Sequence, residues 1–312
     1  MRAAGVATLM SLCLAVFASA ASPQSSTAPP SVDRAERAVP HTGPAASCRS
    51  QPEPVTPGVG GSARAHGSHA VAVSAAWPSQ GVTVRVEVFA HVLRTSSRGG
   101  VPRARIRRQV DVLNGAFAGR QSRFAASSEF RFRLAEVDVT VNRAWYRMNE
   151  GSLAERRAKH SLHEGTSSDL NLYIANNSAG VLGWGSQPSR YAEEPRMDGV
   201  VIARHTMPGG SGGRYSAGDA AVHETGHWLS LFHTFAGRCT PRGDRVADTP
   251  AESRPSYECQ AHRDTCSAHG IDPVHNYMDY GADACMNRFT PGQVARMQRS
   301  WLRLRETGAA AS

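Results

Sequence analysis

Lysine is almost missing from this 312-residue chain: of its 35 basic residues only Lys159 is lysine, and the rest are arginine. The formal charge of +9 therefore reflects an arginine bias of the kind genome composition produces, not a surface built for polyanions. The densest basic cluster, Arg103, Arg105, Arg107 and Arg108, has no interleaved aromatics on which bases could stack. It shares its segment with Ile106, Val110, Leu113 and Phe117 at helical spacing, so the arginines fall on the wet face of an amphipathic helix. No nucleic-acid partner is expected. Long apolar runs are missing after residue 20, and no membrane partner is expected either. The one early run, Leu9 to Phe17, follows Arg2, is too short to cross a bilayer and ends in Ala18-Ser19-Ala20, a small-x-small cleavage pattern. Residues 1–20 are read as a signal peptide and the mature chain as secreted. Internal repeats are missing too.

Residues 21–80 have few periodic apolar positions and much Ser, Ala, Pro and Gly, as in a flexible pro-segment or linker without a core of its own. The folded domain is expected over 81–312. Val82, Val84, Val86 and Val88 alternate with polar residues as a half-buried strand, and a helix is predicted over 103–118. Further strands are predicted from Phe130 through Val141, over Leu170, Leu172 and Ile174, as a short edge strand at Val181–Gly185, and over Gly199–Ala203. This order implies an α/β (α+β) fold with a mostly parallel sheet. After His233 the pattern dissolves into Gly, Pro, Asp and Cys. A last helix is predicted from Pro291, with Thr290 as N-cap and Gln293 completing a capping box.

With Cys13 leaving in the signal, five cysteines remain: Cys48, Cys239, Cys259, Cys266 and Cys285. In an oxidising compartment the last four should pair, and three pairings are open to them. Cys48 is left as an odd thiol.

The most informative stretch is His223-Glu224-Thr225-Gly226-His227, with His233 six residues further on. Positions four apart share a helix face, so His223 and His227 can aim at one metal while Glu224 sits beside it. An unbroken helix would carry His233 ~15 Å along the axis from His223. The chain must therefore bend between the second and third histidines. Three histidines and an open position are how catalytic zinc is held. Glu224 is then placed to take a proton from zinc-bound water. An arrangement using a downstream glutamate as third ligand is disfavoured by His233. The rival from another class is a secreted zinc-containing binding protein that has lost catalysis, and the intact Glu224 argues against it.

Several blocks in fixed order extend the pattern: Leu182-Gly183-Trp184-Gly185, Asp198-Gly199-Val200-Val201, Asp248-Thr249-Pro250-Ala251-Glu252, Asn276-Tyr277-Met278-Asp279-Tyr280 and Cys285 to Gln293. On these the chain resembles the pappalysin (cytophagalysin/ulilysin-like) branch of the metzincin zinc metalloproteases over roughly residues 82–300. The resemblance implies a zincin fold: an upper subdomain with a twisted sheet and two helices, a loop-rich disulfide-stapled lower subdomain, and a substrate cleft between them. It implies a secreted endopeptidase acting on protein or peptide substrates as a monomer. His223, His227 and His233 match the zinc ligands, Glu224 the general base and Met278 the methionine of the turn below the metal. Tyr280 matches a tyrosine that helps to stabilise the oxyanion. The pairings Cys239–Cys266 and Cys259–Cys285 follow from the resemblance, as does a latency role for Cys48 on the zinc. Asp244 and Asp248 resemble a calcium-binding stretch, to which hard oxygen ligands are suited. Asp283 is expected near the primed-side pocket, favouring basic side chains. Asn176-Asn177-Ser178 is a glycosylation sequon.

Overall fold

The computed structural model describes residues 83–176, 180–268 and 270–306, and the backbone of Ser47–Arg49. The expected signal peptide, most of the expected pro-segment, Val82, and Asn177 and Ser178 of the sequon lie outside the described residues.

Six strands form one sheet: β1 (Ser47–Arg49), β2 (Val84–Arg94), β3 (Phe130–Val141), β4 (Leu170–Ala175), β5 (Val181–Gly185) and β6 (Val200–Ala203), in the order β1-β5-β6-β4-β2-β3. All neighbours run parallel except β5 and β6. The mostly parallel sheet matches the expectation. The strand expected at the edge, β5, is not at the edge, because the backbone of β1 pairs beside it. β2 runs six residues past the Val82–Val88 alternation, to Arg94. The alternation fades there because both faces are covered: Ala90 and Val92 enter the main core, and Leu93 enters a second core on the opposite face.

On the main-core face lie α1 (Arg103–Phe117), α4 (Asp219–Trp228) and α5 (Pro291–Leu304). α1 contributes Ile106, Val110, Leu113 and Phe117 to that core, as its spacing predicts. Two helices that the sequence reading did not include, α2 (Arg143–Tyr146) and α3 (Leu153–Leu162), adjoin the other face, where Trp184 and Tyr173 pack with Met148 and Ala158. α3 starts at a local signature, Ser152 followed by Glu155: the Ser152 hydroxyl accepts the Glu155 N–H at 3.1 Å. The one lysine lies on this helix. Lys159 is 2 % exposed and pairs with Glu155 at 2.9 Å.

α5 begins as expected, with the complete Thr290/Gln293 capping box. Between α4 and α5 the described residues form no long element, and Cys239–Cys266 and Cys259–Cys285 tie the stretch together. Both pairings agree with those implied by the resemblance. Among the described residues no helix is long and apolar enough to cross a membrane.

Candidate metal centre and substrate cleft

Every residue of α4 is buried, so a polar pair such as His223 and His227 sits there at a cost that function must explain. The helix ends at Trp228. Ser230 then takes φ +81°, its N–H donates to the His227 carbonyl at 2.8 Å, and the Leu231 N–H returns to the Gly226 carbonyl at 2.9 Å. This is a left-handed helix terminus of the usual kind, with serine where glycine would be unstrained. It turns the chain so that His233 comes back over the helix. The Arg296 guanidinium of α5 donates to the Ser230 carbonyl at 2.7 Å and pins the bend.

The three imidazoles converge. His227 Nε2 lies 3.1 Å from His223 Nε2 and 3.1 Å from His233 Nε2. His223 Nδ1 faces the Tyr277 carbonyl at 2.6 Å and His227 Nδ1 the Leu231 carbonyl at 2.9 Å. A carbonyl only accepts, so both Nδ1 atoms carry the proton and both Nε2 atoms present lone pairs. Burial holds all three rings well below the ordinary histidine range, His227 at about 4, so they are neutral near pH 7. Neutral lone pairs facing one another at this distance repel unless a cation lies between them. Two nitrogens ~2.0–2.1 Å from a tetrahedral zinc ion would be about 3.3–3.4 Å apart, close to the spacing found. The donor set therefore fits zinc.

Glu224 is fully buried beside the triad. The strand β5 lies directly against it. A Cβ on Gly183 would come within 2.9 Å of Glu224 Cγ, and one on Gly185 within 2.6 Å of the Glu224 carbonyl. The two glycines are what allow strand and helix to touch. Gly226 plays the same part beneath: its Cβ would meet Met278 Sδ at 2.5 Å. Met278 thus packs under the helix. The Tyr280 ring is 5.0 Å from that of His233 and 5.8 Å from that of His223. A small pocket beside His223 is lined by Leu182, Tyr215, Ala220, Tyr280 and Asp283. The Asp283 carboxylate accepts the Ala217 N–H at 2.6 Å and the Gly218 N–H at 3.1 Å. Burial raises its pKa and these donors pull it back.

The two acids of the expected calcium stretch part company. Asp248 accepts from the Thr290 hydroxyl at 2.7 Å and the Gly292 N–H at 2.8 Å, so it anchors the start of α5. Asp244 is buried, one oxygen accepting the Val246 N–H at 2.9 Å. Among the described residues its other oxygen and the buried Thr249 hydroxyl have no hydrogen bond of good geometry, although Thr249 lies close enough to the carboxyl to pull its pKa down.

A peptidase family model described as "Pregnancy-associated plasma protein-A" matches residues 171–301. An extracellular metalloprotease of Pyricularia oryzae is 41 % identical over 226 residues, covering 70 % of this chain and 76 % of the relative. Extracellular metalloprotease 1 of Coccidioides posadasii is 37 % identical over 228 residues, covering 71 % and 78 %. The chain belongs to the pappalysin family of metzincin metalloproteases. Among solved structures, Tannerella forsythia mature mirolysin in complex with a cleaved peptide is 27 % identical with a TM-score of 0.60, covering 73 % of this chain and 98 % of mirolysin. A promirolysin mutant from the same organism is 26 % identical with a TM-score of 0.62, covering 73 % and 83 %. This pappalysin has the zincin fold and is a secreted metalloendopeptidase.

Proposed function

We propose that the chain cleaves internal bonds of extended polypeptides with a zinc ion held by His223, His227 and His233 and with Glu224 as general base. The observation that carries this is the convergence of three imidazoles, with His227 Nε2 3.1 Å from the Nε2 of His223 and of His233, next to a buried glutamate. Zinc in that position supplies Lewis acidity, making water acidic near neutral pH and drawing electron density from a carbonyl. Glu224 takes the proton of the attacking water and passes it to the leaving amine nitrogen, so no covalent acyl intermediate forms. The Tyr280 hydroxyl donates to the oxygen that gains charge as the carbonyl becomes tetrahedral. β5 holds the substrate extended by backbone pairing, which reads strand shape more than sequence. Asp283, on the pocket beside His223, favours a basic side chain on the amine side of the cut bond.

Maturation is part of the same reading. Ser47–Arg49 pairs in parallel with β5, Ser47 opposite Val181 and Arg49 opposite Trp184, along the edge assigned to substrate. This placement supports a pro-segment that covers the cleft; in this reading the Cys48 thiolate of that segment is the zinc ligand. A structural calcium ion would use Asp244, and Thr249 fits it as partner better than Asp248, both of whose oxygens are engaged.

Replacing Glu224 with alanine tests the central reading. Zinc content should match the unaltered chain while casein cleavage disappears. Casein cleavage undiminished by the substitution, or a matured, folded chain without zinc, would sink it.

A further inference from the structure

Arg305, just past the end of α5, is 1 % exposed, and every nitrogen of its guanidinium is used. Nη1 and Nη2 form a two-pronged pair with Asp198 at 2.9 and 3.1 Å. Nε and Nη2 both donate to the Trp228 carbonyl, at 3.0 and 2.8 Å, and Nη1 also donates to the Ser167 carbonyl at 2.8 Å. The guanidinium carbon lies 3.6 Å from the centre of the Trp228 ring. Trp228 is the last residue of α4, the residue after the ligand His227. Asp198 in turn accepts the Trp228 indole N–H at 2.8 Å and the Ser186 hydroxyl at 2.6 Å. Ser186 directly follows β5, and its oxygen accepts the Gly199 N–H at 2.9 Å. One cation near the chain's C-terminal end therefore joins the terminus of the metal-binding helix to the terminus of the strand lying on Glu224.

We propose that Arg305, through Asp198, is a positioning residue for catalysis. It sets the spacing between β5 and α4, and so the place of an extended substrate relative to Glu224. A planar, two-pronged cation suits this task in a way an ammonium does not, because it fixes both distance and orientation. The proposal rests on the reading of β5 as the substrate strand and Glu224 as the base. A misplacement of about 1 Å at that distance from the chemistry suffices for a ~100-fold loss.

The test compares the unaltered chain, R305K and the double variant D198N/R305M, each matured and assayed for zinc content and folded fraction. The double variant removes both buried charges together, a change that buried ion pairs often tolerate, so one variant remains testable if R305K fails to fold. Two substrates are used: a long peptide able to pair along β5, and a short one spanning only the cut bond. The expected result is full zinc, with kcat/KM per folded molecule reduced by about 10- to 100-fold for the long peptide and much less for the short one. A merely structural role would lower the folded fraction and leave this ratio unchanged. Full kcat/KM on the long peptide in the folded double variant, or equal losses on both substrates, would overturn the clamp. Absence of activity in the unaltered chain would instead overturn the proposed function, so the two failures are distinguishable.

Discussion

Ser230 stands at +81° in φ between the second and third histidines, a region where a Cβ costs about 1–2 kcal/mol. Its neighbours over-determine it: Arg296 holds its carbonyl and the Leu231 N–H closes the turn. Ser230→Gly should therefore keep the bend and stabilise the folded chain by about 1 kcal/mol, less the larger chain entropy glycine has when unfolded. Thermal unfolding of the zinc-loaded variant checks this; an unchanged or lower midpoint would show that the strain is already relieved. The bend itself was legible before any coordinates, since two histidines on one face and a third ten residues from the first leave no other way to share an ion. Arg296, 66 positions from the carbonyl it holds, was not.

At the scale of elements, β5 and α4 meet through glycine. Alanine at Gly183 would bring a methyl within 2.7 Å of the Val201 carbonyl and 2.9 Å of Glu224 Cγ, closer than such atoms approach. Gly183→Ala should push strand and helix apart. Casein cleavage should fall by about 100-fold while the zinc content, which depends on α4 and the bend, stays full. Loss of zinc in parallel with activity would contradict that division of labour. Elements whose cues are local were the readable ones. α5 carries its own capping box, and α1 its apolar stripe. β2 beyond Val88 was obscured because burial on both faces removes alternation. α3 was missed although Ser152 and Glu155 mark its start, because between Leu153 and Leu162 its only apolar residues are Ala154 and Ala158. Asp248 carried a plausible metal-ligand pattern, but its partners, Thr290 and Gly292, lie more than 40 positions away.

For the whole molecule, the Asp198–Arg305 pair joins residues 107 positions apart, and it has a signature in acid. Burial by itself would raise the Asp198 carboxyl; the Arg305 charge, with hydrogen bonds from Arg305, Ser186 and Trp228, outweighs burial and holds it below the ordinary carboxylate value. Such a group binds fewer protons folded than unfolded. Its stabilisation is complete above the unfolded value near ~3.9 and is lost as pH falls through the folded one. Below about pH 4, unfolding free energy should therefore fall more steeply for the unaltered chain than for D198N/R305M. Parallel acid-unfolding curves would show that the pair carries no pH-linked stability.

The burial of Lys159 against Glu155 has a practical corollary. With the only side-chain ammonium buried and ion-paired, an amine-directed reagent finds a single reachable target, the α-amino group of whichever residue leads the chain. Dye or biotin attached under mild conditions would tag each molecule once, at its front end, and the tag would shift to a new residue whenever processing exposes one. The scarcity of one amino acid would thus make any processing of this chain chemically readable.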